Sequence, residues 1–195
     1  GVKHGREIWF YNDHQKKMEA HWERGMLDGV YKEWYKNGTQ KQTVYYSDGE
    51  QDGTLKAWHE NGQLGFEIEY SEGLKDGDSE QWDENGAKVN KVEFSDGKMD
   101  GSYESWHDNG QISWKARLSD GKFDGKVQSW HENGEKYLVI DEVKGSNVED
   151  DEHFYLTLYG LIGKRGSSDN GAIIFDGTYR EWHKNGQMIE KAEYD

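Results

Sequence analysis

Residues 101–125 read GSYESWHDNGQISWKARLSDGKFDG, and the same grammar returns 24 residues earlier and 24 residues later. A Gly opens the unit, a Trp stands five residues on, an Asn-Gly pair follows, then an apolar-alternating run, then Ser-Asp-Gly and a closing Asp-Gly. Units open at Gly5, Gly29, Gly53, Gly77, Gly101 and Gly125, and the next clear start is Gly177. The fifth position after each is Phe10, Trp34, Trp58, Trp82, Trp106, Trp130 and Trp182. Asn-Gly falls at 37–38, 61–62, 85–86, 109–110, 133–134 and 185–186. Self-similarity at a fixed period marks a repeat architecture and takes precedence over any local reading.

Asn-Gly suits a two-residue type I′ turn, whose central residues both need positive φ. The segments on either side, 103–107 and 111–118, then read as antiparallel strands. In the second, Ile112, Trp114, Ala116 and Leu118 alternate onto one face, as Leu64, Phe66, Ile68 and Tyr70 do earlier, which is the period of a strand. Tyr103 and Trp106 differ in parity, so a bulge, or a strand that begins after Tyr103, is expected there. SDGEQDG at 47–53, SEGLKDG at 71–77, SDGKMDG at 95–101 and SDGKFDG at 119–125 supply a second tight turn. Strand and tight turn in alternation predict an all-β fold: an elongated antiparallel β-meander of stacked 24-residue hairpins, with no helix.

The grammar breaks after Ile140. Residues 1–140 read as five to six regular hairpins, 141–176 as a degenerate repeat with acidic and Gly-rich loops, and 177–195 as a final partial repeat, all one continuous repeat domain. Within the break, 153–159 and 172–175 are expected to form a degenerate hairpin. Loops that interrupt a regular scaffold often carry function. The chain begins Gly-Val-Lys-His, in mid-repeat, which reads as an excised or processed piece and leaves the compartment open between cytoplasm and periplasm or surface.

Composition agrees with a thin structure. Only 32% of the 195 residues are hydrophobic and 32% are charged, while nine Trp and twelve Tyr provide large apolar surfaces. No Pro and no Cys are present. The net charge of −15 repels nucleic acid and anionic membranes and favours a basic partner, or serves solubility. No apolar run approaches the ~20 residues of a helical membrane span, so no membrane insertion is expected of this chain. Each aligned Trp is expected to pack against a second-strand residue such as Tyr46, Tyr70, Phe94 or Leu118.

The unit resembles the MORN repeat variant, as in proteins classed as YwqK-type antitoxins, through its Trp, Asn-Gly-Gln and Asp-Gly in register. The resemblance implies stacked β-hairpins and a role in protein binding or toxin neutralisation. Asn85-Gly86-Ala87 and Asn133-Gly134-Glu135 depart from the usual Gln, and 141–176 has no counterpart.

Reactive chemistry finds little support. The residues after the Trp are Tyr35, His59, Asp83, His107, His131 and His183. Equivalent positions in successive hairpins are two strands apart, ~9–10 Å, too far for shared zinc ligation at ~2 Å bonds. The Asp-Gly turns lack a calcium-loop pattern, and residues 160–166 lack the spacing of a phosphate loop. A repeated residue gives many equal copies, whereas catalysis needs one convergent constellation. The expectation is therefore a non-enzyme with no cofactor or metal, binding a basic toxin or effector protein. Candidate contact residues are Trp58, His59, Trp106, His107, Trp130 and His131, with the acidic loop Glu149, Asp150, Asp151 and Glu152. A carbohydrate- or cell-envelope-binding module and a passive scaffold repeat are the alternatives.

Overall fold

In the computed structural model of the protein, residues 1–12, 14–147 and 174–194 are described, and all their regular elements are β-strands. They divide into two compact units, Gly1–Lys88 and Val89–Asp195. The first holds β1 (Gly5–Asn12), β2 (Gln15–Glu23), β3 (Met26–Leu27), β4 (Gly29–Trp34), β5 (Gln40–Ser47), β6 (Glu50–Gln51), β7 (Gly53–Trp58), β8 (Leu64–Ser71) and β9 (Leu74–Trp82). Its strands pair antiparallel in the order β1-β2-β4-β5-β7-β8-β9, with β3 on β2 and β6 on β5. The second holds β10 (Lys88–Ser95), β11 (Lys98–Trp106), β12 (Ile112–Ser119), β13 (Lys122–Trp130), β14 (Lys136–Asn147), β15 (Ile174–Trp182) and β16 (Met188–Tyr194), antiparallel and paired in chain order. The meander and the absence of helix among the described residues agree with the repeat grammar.

The two turns carry the reverse of the expected geometry. At the Asn-Gly turn Trp34 pairs with Gln40, Tyr35 N donates to Thr39 O at 2.8 Å, and Gly38 N donates to Tyr35 O at 3.0 Å. Only Gly38 has positive φ, at 90°, and Asn37 does not. This is a three-residue loop, a type I turn followed by a left-handed Gly, and not the two-residue type I′ turn. The two-residue loop with both central φ positive stands at Ser-Asp-Gly instead: Ser47 pairs with Glu50, and Asp48 and Gly49 have φ of 48° and 92°. Asp tolerates the left-handed region better than most residues, although Arg24 and Glu72 occupy the same position.

The parity of Tyr103 and Trp106 is resolved by a bulge on the partner strand. Ser105 pairs with Trp114 and Trp106 with Ile112, so Ser113 is the extra residue. Tyr103 and Ser105 are then both fully buried, and the Ser105 and Ser113 hydroxyls lie 2.7 Å apart. Facing them, Trp114, Ala116 and Leu118 are buried while Lys115 and Arg117 are exposed, as the alternation requires.

The second unit buries a continuous cluster that includes Val92, Met99, Tyr103, Leu118, Phe123, Val127, Ile140 and Phe175. One repeat position explains much of it. Two residues before the closing Gly stand Leu27, Gln51 and Lys75 in the first unit, but Met99, Phe123 and Phe175 in the second. The last three are at most 7% exposed, and each large apolar side chain so buried stabilises by about 1.5–3 kcal/mol. The first unit buries Ala20, Thr43 and Val44, with Tyr31 edge-on to Tyr46 at 6.2 Å. Phe66, at the repeat position of buried Trp114, is 39% exposed.

The other face carries ion pairs across hairpins, such as Lys56–Glu67 at 3.0 Å and Lys115–Glu104 at 2.7 Å. Such exposed pairs contribute about 0–1 kcal/mol each; their main effect is to keep that face wet.

The interruption does not separate its flanking strands. Val143 pairs with Phe175 and Leu138 with Glu181, so β14 and β15 are direct neighbours although residues 148–173 intervene. Asn147 pairs with Lys122, which places the exit of β14 at the Ser-Asp-Gly end. The strand expected at 153–159 lies outside the described residues, and of 172–175 only Ile174 and Phe175 are described, inside β15.

Candidate protein-binding surface

The aligned Trp residues stand at the Asn-Gly end of the hairpins and are half-buried. They do not pack against the second-strand residues expected from the sequence. Trp58 pairs with Leu64 whereas Tyr70 pairs with Gly53, and Trp106 pairs with Ile112 whereas Leu118 pairs with Gly101. Tyr70 and Leu118 thus sit at the far ends of their hairpins.

The residue after the aligned aromatic does a structural job at every such position from Tyr11 to His131. Tyr11 Oη donates to Trp34 O at 3.0 Å and Tyr35 Oη to Trp58 O at 2.9 Å. His59 Nε2 lies 2.9 Å from Trp82 O, His107 Nε2 2.8 Å from Trp130 O, and His131 Nε2 3.0 Å from Trp182 O. A carbonyl only accepts, so each imidazole carries its proton on Nε2. In each unit a second set of bonds accompanies these. Asn37, Asn61, Asn109 and Asn133 donate Nδ2 to the main-chain oxygens of Glu60, Glu84, Glu132 and Lys184, at 2.8, 2.6, 2.5 and 2.7 Å. The same Asn side chains accept from the N–H two residues on, as in Gln111 N to Asn109 Oδ1 at 3.0 Å. Within each unit these turns are thus closed internally and fastened one to the next.

Asp83 has no proton to give and serves its own turn. It accepts from Ala87 N at 2.8 Å and Asn85 N at 2.9 Å. The Ala87 N–H foremost, with Asn85, holds its carboxyl below the usual aspartate range.

Of the sequence candidates, Trp58 in the first unit and Trp106 and Trp130 in the second each end a strand before an Asn-Gly turn, and His59, His107 and His131 act as fasteners. Their Nε2 atoms face main-chain carbonyls. Among the described residues no group of three or more His, Cys, Asp or Glu is placed to hold a metal ion, and no helix is long and apolar enough to cross a membrane. Glu149, Asp150, Asp151 and Glu152 lie outside the described residues.

Between the turns of the second unit opens a cleft of about 360 Å³, lined by Trp130, Gly134, Glu135, Lys136, Trp182 and Gly186. Sequence reading passed over Glu135, Lys136 and Trp182 as contact residues, although the Asn-Gly-Glu departure marks the place. Residues at the Glu135 position reach over the Gly of the next turn. A methyl added at Gly86 would meet Gln63 Oε1 at 3.2 Å, at Gly134 Gln111 Oε1 at 2.9 Å, and at Gly186 Glu135 Oε2 at 3.5 Å. The position reads Thr39, Gln63, Ala87, Gln111, Glu135 and Gln187, so this is the turn that carries a carboxylate. Elsewhere the indoles are capped by the chain's own cations: Lys3 Nζ lies 4.3 Å from the Trp22 ring centre, Lys16 Nζ 5.4 Å from Trp34, and Lys88 Nζ 5.6 Å from Trp82.

A family model described as the MORN repeat variant matches the chain at residues 27–48, 51–72 and 175–195. Each match covers one hairpin around an Asn-Gly turn: β4–β5, β7–β8 and β15–β16. No curated protein matches the chain. These repeat matches suggest a binding module built from hairpins.

Proposed function

We propose that the chain is a non-catalytic protein-binding repeat protein that neutralises a toxin or effector by direct contact, as an antitoxin or immunity protein does. The observation that carries this reading is the set of half-exposed Trp side chains that each unit carries on turns fastened one to the next, which offers aromatic contacts without a loss of order on binding. Aromatic side chains dominate binding hot spots, and pre-organisation lowers the entropy cost of association. The charge of −15 would steer a basic partner and make association salt-sensitive. The MORN-variant matches support a repeat-based binding role.

The test is co-expression of the intact gene with each immediate genomic neighbour. A neighbour that arrests growth only when this protein is missing, and that co-purifies with it, supports neutralisation. If no neighbour is toxic and none co-purifies, the antitoxin reading falls. Retention on cell-wall polysaccharide would then favour the carbohydrate-binding alternative.

A further inference from the structure

We propose that the cleft between Trp130 and Trp182 is the seat of an arginine side chain presented by the basic partner. The inference deepens the protein-binding reading and rests on it. Three observations converge. The chain already uses its indoles as cation acceptors, with Lys3 over Trp22, Lys16 over Trp34 and Lys88 over Trp82. No lysine of the described residues stands over Trp130 or Trp182, and the space between them is a cleft of about 360 Å³. Glu135 is the carboxylate at a turn position otherwise held by Gln, Thr or Ala, and its Oε2 reaches toward Gly186 on the far side.

A cation over an indole face is attracted by the ring quadrupole. Arginine suits this cleft better than lysine, because a planar guanidinium stacks on an indole while presenting two N–H groups to a carboxylate. The walls are held in place from both sides: His131 Nε2 lies 3.0 Å from Trp182 O, and Asn133 Nδ2 donates to Lys184 O at 2.7 Å. Gly134 and Gly186 put no side chain into the opening. Lys136, exposed at the rim, is the opposing charge. Its presence gives the assignment a signed test, since a cationic guest gains from its removal.

The test is a titration of the ¹⁵N-labelled full chain with Nα-acetyl-arginine N-methylamide, followed at the indole N–H resonances of Trp130 and Trp182. The neutral citrulline analogue is titrated in parallel. Saturable shifts at these two indoles with the arginine probe, absent with citrulline, are expected. Glu135→Gln weakens binding by about fivefold and Lys136→Ala tightens it by about two- to threefold. Both residues are exposed, so neither variant endangers folding. Equal shifts with citrulline, a response spread over all indoles, or weaker binding in Lys136→Ala would each overturn the proposal. Arginine binding without any toxic neighbour sinks neutralisation and leaves the cleft assignment standing; neutralisation that survives in a chain blind to arginine does the reverse.

Discussion

His107 Nε2 lies 2.8 Å from the main-chain oxygen of Trp130, one repeat further along the chain. The bond joins two turns that are not sequence neighbours and that share no strand. Its worth should be near the net value of one intramolecular hydrogen bond, about 1 kcal/mol. His107→Ala is expected to lower stability to urea by that amount. His107→Tyr should recover most of the loss, because Tyr35 makes the same bond to Trp58 with its hydroxyl. Equal destabilisation by both replacements would mean that packing, and not the donor, matters here.

Gly101 and Gly125 both open repeats with positive φ, 123° and 100°, yet their surroundings differ. A methyl on Gly101 would collide with Glu93 Oε2 and stand 2.8 Å from Glu93 Cβ, whereas no atom of the described residues lies within 4 Å of one on Gly125. The carboxylate there also accepts from Ser102 N at 3.2 Å and Ser102 Oγ at 2.9 Å. Gly125→Ala should cost only the backbone strain, about 1–2 kcal/mol. Gly101→Ala should cost about 1–3 kcal/mol more through crowding. Thermal unfolding of the two variants side by side measures the difference.

Ser105 and Ser129 occupy the same repeat position, both buried to 1% exposure or less. Ser105 Oγ shares a hydrogen bond with Ser113 Oγ, while Ser129 Oγ has no hydrogen-bond partner among the described residues. Ser129→Ala is therefore expected to be neutral or stabilising by up to about 1 kcal/mol, and Ser105→Ala to destabilise by leaving Ser113 unpaired. Denaturation midpoints in the opposite order would show that the Ser129 hydroxyl is satisfied in solution.

Glu19 accepts from Arg6 Nε and Lys16 Nζ, each at 2.7 Å. Those bonds, with Arg6 first, hold its carboxyl down to about 2. A depressed carboxylate contributes stability that is present above the unfolded value, about 4.3, and is lost as pH falls toward the folded one. In Arg6→Ala the Glu19 titration, followed by carboxyl ¹³C shifts, should move up toward the ordinary glutamate value. The stability gap between the two proteins should exist at neutral pH and close below about pH 2. An unchanged Glu19 midpoint would show that Lys16 alone fixes it.

Much of this molecule could be read from its 24-residue period: the strands, their alternation at Trp114, Ala116 and Leu118, and an irregularity between Tyr103 and Trp106. For that irregularity the sequence left a bulge and a late-starting strand equally open, and the pairing chose the bulge. The turn types could not. An Asn-Gly pair fits a two-residue loop and also a three-residue loop with Gly in the left-handed place, and only the pairing of Trp34 with Gln40 decides between them. The fastening role of His59, His107 and His131 was hidden for a related reason. A column of imidazoles suggests a surface, whereas their partners are carbonyls, which every residue possesses and no sequence pattern reveals. A clue was present in the exchange of His for Tyr at positions 11 and 35, since both side chains hold an N–H or O–H donor at the far edge of a ring. The fuller core of the second unit was legible in retrospect at Met99, Phe123 and Phe175, where the first unit has Leu27, Gln51 and Lys75.

Because β14 and β15 remain paired although residues 148–173 stand between them, their junction offers an engineer a freedom that the regular turns lack. Between β14 and β15 the connection can be exchanged for foreign sequence, and each doubling of loop length adds only about 0.6 kcal/mol of closure cost. A graft between Trp and the second strand would instead cut the bonds that fasten one turn to the next, and so would a graft at a regular Ser-Asp-Gly turn, where Gly49 N donates to Leu27 O at 2.8 Å and Gly121 N to Met99 O at 2.9 Å. The scaffold thus has an insertion port where β14 meets β15, through which an epitope, an enzyme domain or a second binding loop could be displayed while Trp130 and Trp182 at the other end of those hairpins stay undisturbed.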